Sequence, residues 1–170
     1  KLHKWINKEN SIKELLITQK EKVDQQISKA KPCKGAIELI NYCLNIKLPI
    51  ALVTSSSSES FKIKSSANPW LNFFSTRILG DDKLISAGKP SPDPYLRALE
   101  LLNVDPNKTW VIEDSYAGAV AALKAECNLL FFSKEIEILN KLINEFSQEK
   151  IQKINHLSEI IYYLKLYKGF

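Results

Sequence analysis

Residues 110–122 read WVIEDSYAGAVAA, an apolar run that ends in two acids and continues into a segment of small residues. Such a run is typical of a buried parallel strand that leads into a helix. In open α/β folds, ligands bind outside the carboxyl ends of the strands. The stretch therefore predicts that Glu113 and Asp114 lie at the mouth of a parallel sheet, in a position suited to a metal ion and a phosphate.

Two other segments predict chemistry at the same edge of the sheet. Lys89 lies in the proline-stiffened segment GKPSPDPY, residues 88–95, and its ammonium supplies the positive charge that a phosphoryl group needs. Thr54 and Ser55 follow the apolar run IALV, residues 50–53, and a hydroxyl with neighbouring backbone donors can hold a phosphate oxygen. Each element alone is weak evidence, but all follow predicted strands that helices separate. The fold should therefore bring them together.

Helical and strand patterns alternate along the chain. This alternation predicts an α/β, Rossmann-like parallel sheet with helices on both faces, joined by right-handed crossovers. Ser91 and Pro92 suit the N-cap and first position of one helix, and Ser115 suits the N-cap of another. We predict strands at 50–53, 76–79, 109–112 and 128–132, and helices at 35–45, from 56–58, from 92, from 116, at 136–146 and at 157–166.

Residues 1–30 differ from the rest of the chain. Their apolar residues recur at three-, four- and seven-residue steps among lysines and glutamates, which predicts an amphipathic helical segment. Lys31-Pro32 interrupts that pattern, because proline removes a backbone donor and disfavours helix at the residue before it. We predict a boundary between a segment at 1–30 and a core at 31–170.

Composition limits the class of protein. The chain has 170 residues, 45% of them hydrophobic, which suits one globular core. Its net charge of +5 is spread among acids rather than gathered in one arm, so we expect no nucleic-acid partner. No apolar run approaches the roughly 20 residues of a membrane span, so we expect no membrane partner. An odd count of three cysteines, with no CxxC pair, favours a reducing compartment, and we expect the cytoplasm. A sequence that does not begin with methionine is either processed or part of a longer protein.

Three motifs in this order resemble the second, third and fourth motifs of the haloacid dehalogenase-like (HAD-like) hydrolases. They are LPIALVTSS at 48–56, GKPSPDPYL at 88–96 and VIEDSYAGA at 111–119. The resemblance covers about residues 31–132 and is closest to the subgroup with a helical cap, which includes phosphosugar phosphatases and β-phosphoglucomutase. It implies that residues 1–30 are the last part of the cap and that 31–170 form a HAD-like core.

The resemblance also implies roles for the site residues. Thr54 and the Ser55 backbone would bind the phosphoryl group, and Lys89 would bridge it to the nucleophile. Asp114 would ligate Mg²⁺ with Glu113 beside it. The implied function is Mg²⁺-dependent hydrolysis of a small phosphorylated metabolite, a phosphosugar, through an aspartyl-phosphate. A phosphosugar mutase, which transfers the phosphoryl group within the sugar phosphate by the same chemistry, is an alternative.

The chain departs from the family's pattern at its first motif. The Asp-x-Asp-Gly sequence that ends the opening strand of the family, and supplies nucleophile and general acid/base, occurs nowhere in these 170 residues. The core is therefore expected to lack its first strand, and a non-catalytic phosphate-binding domain is a second alternative. Glu126 stands where the family commonly has glycine, so we expect an altered turn there. A phosphoacceptor receiver domain fits less well, because its acids precede its lysine.

Overall fold

The computed structural model describes residues 29–166, together with residues 14, 15, 17–19, 22 and 26. The residues described before position 29 are helical, and residues 30–33 lie outside helices and strands. Most of the amphipathic segment predicted at 1–30 lies outside the described residues. Its assignment to a cap, and the division of the chain near residue 30, stay predictions.

Between residues 36 and 166, helices and strands alternate as the sequence predicts. The helices are α1 (Ala36–Asn45), α2 (Ser58–Ala67), α3 (Asp93–Leu102), α4 (Tyr116–Lys124), α5 (Ile136–Glu145) and α6 (Ser158–Leu166). The strands are β1 (Ala51–Val53), β2 (Thr76–Ile78), β3 (Trp110–Glu113), β4 (Asn128–Phe131) and β5 (Ile151–Lys153). Short 3₁₀ segments occupy Pro69–Phe73, Pro106–Lys108 and Gln148–Lys150.

All the strands pair in parallel, but they form two separate ladders. In one, β1 pairs with β2 and Val53 lies opposite Ile78. In the other, β4 lies between β3 and β5, with Glu113 opposite Phe131. In the part of the chain that the structure describes, no ladder joins β1 to β3. The edges of these two strands are therefore where a further strand would be needed to make one continuous sheet.

Helices cover both faces of the β3–β4–β5 ladder. Leu129 and Phe131 are completely buried and pack with α4 and Leu142 of α5. Leu130 points to the opposite face, where it packs with α1 and α6. This alternation follows from the two-residue period of a strand and confirms the predicted α/β architecture.

Three local expectations were wrong. β5 was not predicted, because it has three residues and the sequence IQK, a pattern too short and polar to indicate a strand. Helix α3 begins at Asp93, and the Ser91 hydroxyl donates to the Asp93 carboxylate (2.7 Å) rather than capping a helix amide. Glu126 adopts the left-handed conformation expected for glycine, with φ 64°, so the turn after α4 is not altered.

The predicted N-cap of α4 is correct. Ser115 has extended backbone, and its hydroxyl accepts a hydrogen bond from the Gly118 amide at 3.1 Å. None of the helices in the described residues is long and apolar enough to cross a membrane.

Candidate active site

Lys89 lies between the carboxyl ends of β1 and β3. Its Nζ donates a hydrogen bond to the carbonyl of Val53, the last residue of β1, at 3.1 Å. It also forms an ion pair with Glu113, the last residue of β3. The side chains of Lys89 and Glu113 are 9% and 8% exposed, so the pair is largely shielded from water. Lys89 thus joins the ends of two strands that no ladder connects within the described residues.

The Glu113 carboxylate accepts hydrogen bonds on both oxygens. Oε1 accepts from Lys89 and from the Tyr95 hydroxyl at 2.5 Å, and Oε2 accepts from the Ser115 hydroxyl at 3.1 Å. Burial opposes ionisation, but the charge of Lys89 and these hydrogen bonds outweigh it. They hold the pKa of Glu113 below its ordinary value, so Glu113 is ionised at neutral pH.

Tyr95 belongs to this site, although the sequence analysis did not select it. The residue is 6% exposed in the first turn of α3, and the Lys89 ammonium lies 4.8 Å from its ring centroid. Burial and the negative charge of Glu113 raise the pKa of Tyr95 above its ordinary value, so the hydroxyl stays protonated and donates. The only signal in the sequence was a tyrosine on the apolar face of a helix, which by itself indicates a core position.

The segment after β1 offers hydrogen-bond donors at the same edge of the sheet. The Thr54 hydroxyl accepts from the Ser56 amide at 3.1 Å, so its own proton can be donated to a ligand. Ser55 is exposed, and among the described residues its amide has no acceptor. The backbone of Gly80 packs closely against this segment. A β carbon at Gly80 would lie 2.2 Å from the Ser55 carbonyl oxygen, so a side chain there would clash.

A second lysine, also not selected from the sequence, lies beside this segment. Lys64 of α2 donates from Nζ to the Ser56 hydroxyl at 2.7 Å. Within the described part of the chain, Lys64 forms no ion pair. The amino end of α2 already holds an anion, because the Asp81 carboxylate accepts from the Ser58 amide and hydroxyl at 2.7–3.0 Å.

Asp114 and Glu113 differ in their suitability for a metal ion. Asp114 is exposed and follows β3 directly, so its carboxylate faces solvent at the sheet edge. Glu113 already accepts hydrogen bonds on both oxygens, which favours Asp114 as the metal ligand, and both assignments stay predictions. The described residues contain no group of three His, Cys, Asp or Glu side chains placed to hold a metal ion. One carboxylate with substrate phosphate and water is nevertheless a set that Mg²⁺ accepts.

Comparison with known proteins places this chain in a family. A family model described as haloacid dehalogenase-like hydrolase matches residues 1–132. A bifunctional riboflavin kinase/FMN phosphatase from Arabidopsis thaliana is 33% identical over 130 residues, which are 70% of this chain and 34% of that protein. A phosphorylated carbohydrates phosphatase from Thermotoga maritima is 32% identical over 107 residues, or 63% of this chain and 48% of that protein.

A solved structure shows the same fold. The HAD hydrolase of family IA, variant 3, from Entamoeba histolytica superposes with a TM-score of 0.71 at 25% identity, and the match covers 91% of this chain and 70% of that one. The chain spans between a third and half of the length of the two curated relatives.

Proposed function

Because the chain belongs to the haloacid dehalogenase-like hydrolase family, we propose that it forms the phosphate-binding part of a Mg²⁺-dependent phosphatase for a small phosphorylated metabolite. The observation that carries this proposal is the position of Lys89, whose ammonium contacts the ends of both β1 and β3. Two relatives are described as phosphatases of FMN and of phosphorylated carbohydrates, which supports a phosphosugar or similar compound as the substrate.

Three donors of this chain would hold the phosphoryl group. The Thr54 hydroxyl and the Ser55 amide would each donate to a phosphate oxygen. An ammonium has three donors, and Lys89 uses two of them on Val53 and Glu113, which leaves one for the ligand. Such fixed donors stabilise charge that develops on a transferring phosphoryl group.

Glu113 and Asp114 would have different roles. Glu113 would anchor Lys89, while the exposed Asp114 would contribute one carboxylate to Mg²⁺. When bound, the metal ion would neutralise negative charge on the phosphate oxygens. The covalent step through an aspartyl-phosphate needs the Asp-x-Asp aspartate, which these 170 residues do not contain. We propose that a strand carrying it would pair between β1 and β3, where the described ladders are separate.

The experiment is turnover of a generic phosphate ester by the protein isolated from its own source, with its intact mass measured alongside. A mass several kDa above 19.4 kDa, with Mg²⁺-dependent phosphate release, would support the phosphatase. In that protein Asp114→Asn should abolish metal-dependent release, and Lys89→Ala should lower kcat/KM on the order of 10²–10³-fold. Asp105→Asn, an exposed aspartate preceding the amino end of β3, is the matched control. Unchanged turnover in Asp114→Asn and Lys89→Ala would refute the assignment.

The missing motif favours one alternative, a non-catalytic phosphate-binding domain. Binding of inorganic phosphate without any turnover, in a protein with the mass of this chain, would establish that function instead. A phosphosugar mutase would use the same donors, and would be recognised by isomerised sugar phosphate in place of released inorganic phosphate.

A further inference from the structure

Tyr95 contacts both members of the Lys89–Glu113 ion pair. Its hydroxyl donates to Glu113 Oε1 at 2.5 Å, and its ring centroid lies 4.8 Å from Lys89 Nζ. The residue is 94% buried and comes from the first turn of α3, whereas Glu113 ends β3. Tyr95 therefore fixes the pair from a third element of the fold.

These contacts restrict where the ammonium can lie. A lysine side chain has four rotatable carbon bonds and loses much rotamer freedom when it is held in one position. One fixed oxygen of Glu113 and one aromatic face limit Nζ from two directions, because cations prefer the face of the ring. Without the hydroxyl, Oε1 would keep Lys89 as its single donor, and Lys89 and Ser115 alone would orient the carboxylate.

We propose that Tyr95 is a positioning residue, which holds Glu113 and Lys89 so that the ammonium faces the phosphoryl group at the Thr54–Ser55 edge. This proposal rests on the function proposed above. It assigns Tyr95 no contact with substrate. The hydroxyl orients Glu113 by its hydrogen bond, and the face of the ring contacts the Lys89 ammonium.

The chain contains a matched control for this arrangement. Tyr116 donates from its hydroxyl to Glu145 Oε2 at 2.6 Å, and Lys141 Nζ lies 4.1 Å from its ring centroid. Here, however, the acid and the lysine both lie on α5, and the contacts are exposed. Tyr116→Phe therefore removes the same hydroxyl from the same type of trio, one that includes neither Lys89 nor Glu113.

The test compares the 170-residue chain with its Tyr95→Phe and Tyr116→Phe variants, labelled with ¹⁵N-lysine. Sucrose in every sample favours the folded state, and the backbone amide spectrum reports folding. The first measurement is the side-chain ammonium signal of Lys89, assigned with Lys89→Met. The second is the affinity for inorganic phosphate, measured by titration.

We expect Tyr95→Phe to broaden or abolish the Lys89 ammonium signal and to weaken phosphate binding about fivefold to tenfold, which corresponds to about 1–1.4 kcal/mol. Tyr116→Phe should leave both unchanged. An unaltered Lys89 signal in folded Tyr95→Phe would overturn the proposal, as would equal phosphate affinities in the two variants. If the parent chain binds no phosphate, the function proposed for this chain fails, and the ammonium signal alone then decides whether Tyr95 positions Lys89.

Discussion

The Glu113 carboxylate lies directly over Gly118. A β carbon built on Gly118 would lie 2.1 Å from Cδ of Glu113 and 2.2 Å from each of its oxygens. Gly118 is in the first turn of α4 and does not have a positive φ, so its role here is space rather than backbone conformation. The absence of a side chain at 118 is therefore what allows Glu113 to reach Lys89, Tyr95 and Ser115.

We expect Gly118→Ala to displace the Glu113 carboxylate and to lower the free energy of unfolding by about 1–3 kcal/mol, the range for overpacked interior sites. This loss should appear although alanine favours helix more than glycine does. Gly88→Ala is the control, because a β carbon there would have no atom within 4 Å. Its effect should stay within about 0.5 kcal/mol. Urea unfolding of both variants measures the difference, and equal midpoints would contradict the packing described.

Glu126→Gly should stabilise the chain. Glu126 has φ 64° at the end of α4, a conformation that costs a residue with a β carbon about 1 kcal/mol. The carbonyl of Glu126 accepts from Lys150 Nζ at 2.7 Å, and that bond is kept because it involves only the backbone of residue 126. We expect a gain of up to about 1 kcal/mol, reduced by the entropy of glycine in the unfolded chain.

Lys124→Gly, inside the last turn of α4, is the control for that substitution. It should destabilise by about 0.5–1 kcal/mol, because glycine is unfavourable in a helix. Thermal unfolding measures both changes. If Glu126→Gly lowered the unfolding temperature as Lys124→Gly does, residue 126 would not be strained.

Asp81 should contribute to the pH dependence of stability. Hydrogen bonds from the Ser58 hydroxyl, and then from the Ser58 amide, hold the pKa of Asp81 below its ordinary value of 3.8. A carboxyl whose pKa is lower in the folded state contributes stability that is present above the unfolded pKa and is lost as the pH falls through the folded pKa. We therefore expect Asp81→Asn to flatten the decline in stability from about pH 5 to about pH 2.

Ser58→Ala should flatten the same decline in part, because it removes the hydroxyl but keeps the amide donor. The measurement is the urea midpoint at several pH values. If the urea midpoint of Asp81→Asn fell with decreasing pH as steeply as that of the parent chain, the Asp81–Ser58 contact would not affect stability.

The three cysteines should react at very different rates. Cys33 is exposed, whereas Cys43 and Cys127 are 6% and 0% exposed, and all three are free thiols. Burial raises the pKa of the Cys127 thiol to about 11 and also raises that of Cys43, which lowers the thiolate fraction further. In native buffer near about pH 8, an alkylating reagent should modify Cys33 first, and all three should react in denaturant. Mass spectrometry counts the adducts, and rapid native labelling of Cys127 would contradict its burial.

Much of this architecture could be predicted from local sequence. The apolar run before Glu113 and the Ser115 cap predict a strand followed by a helix, and the prolines after Lys89 predict a loop. β5 was missed because its few residues gain strand structure from pairing with β4, not from their own pattern.

The site's internal contacts were harder to predict. Nothing local to Tyr95 indicates that its hydroxyl meets a residue 18 positions away, because that contact depends on how α3 packs against β3. Similarly, the sequence predicts a metal role for Asp114 with Glu113 beside it, and nothing local to the two residues shows how their surroundings differ. Their side chains leave a strand end in different directions, and the structure places one in an ion pair and the other in solvent.

The packing of α3 has a consequence for how the chain unfolds. Tyr95 and Leu99 of this helix share a core cluster with Val111 of β3, and Val53 of β1 packs against the same cluster. The two ladders are therefore coupled by side chains rather than by backbone hydrogen bonds. Loosening α3 would weaken this coupling, to which the contacts of Lys89 with Val53 and Glu113 also contribute. Native-state hydrogen exchange should therefore show β1 and β2 opening as one cooperative unit and β3, β4 and β5 as another.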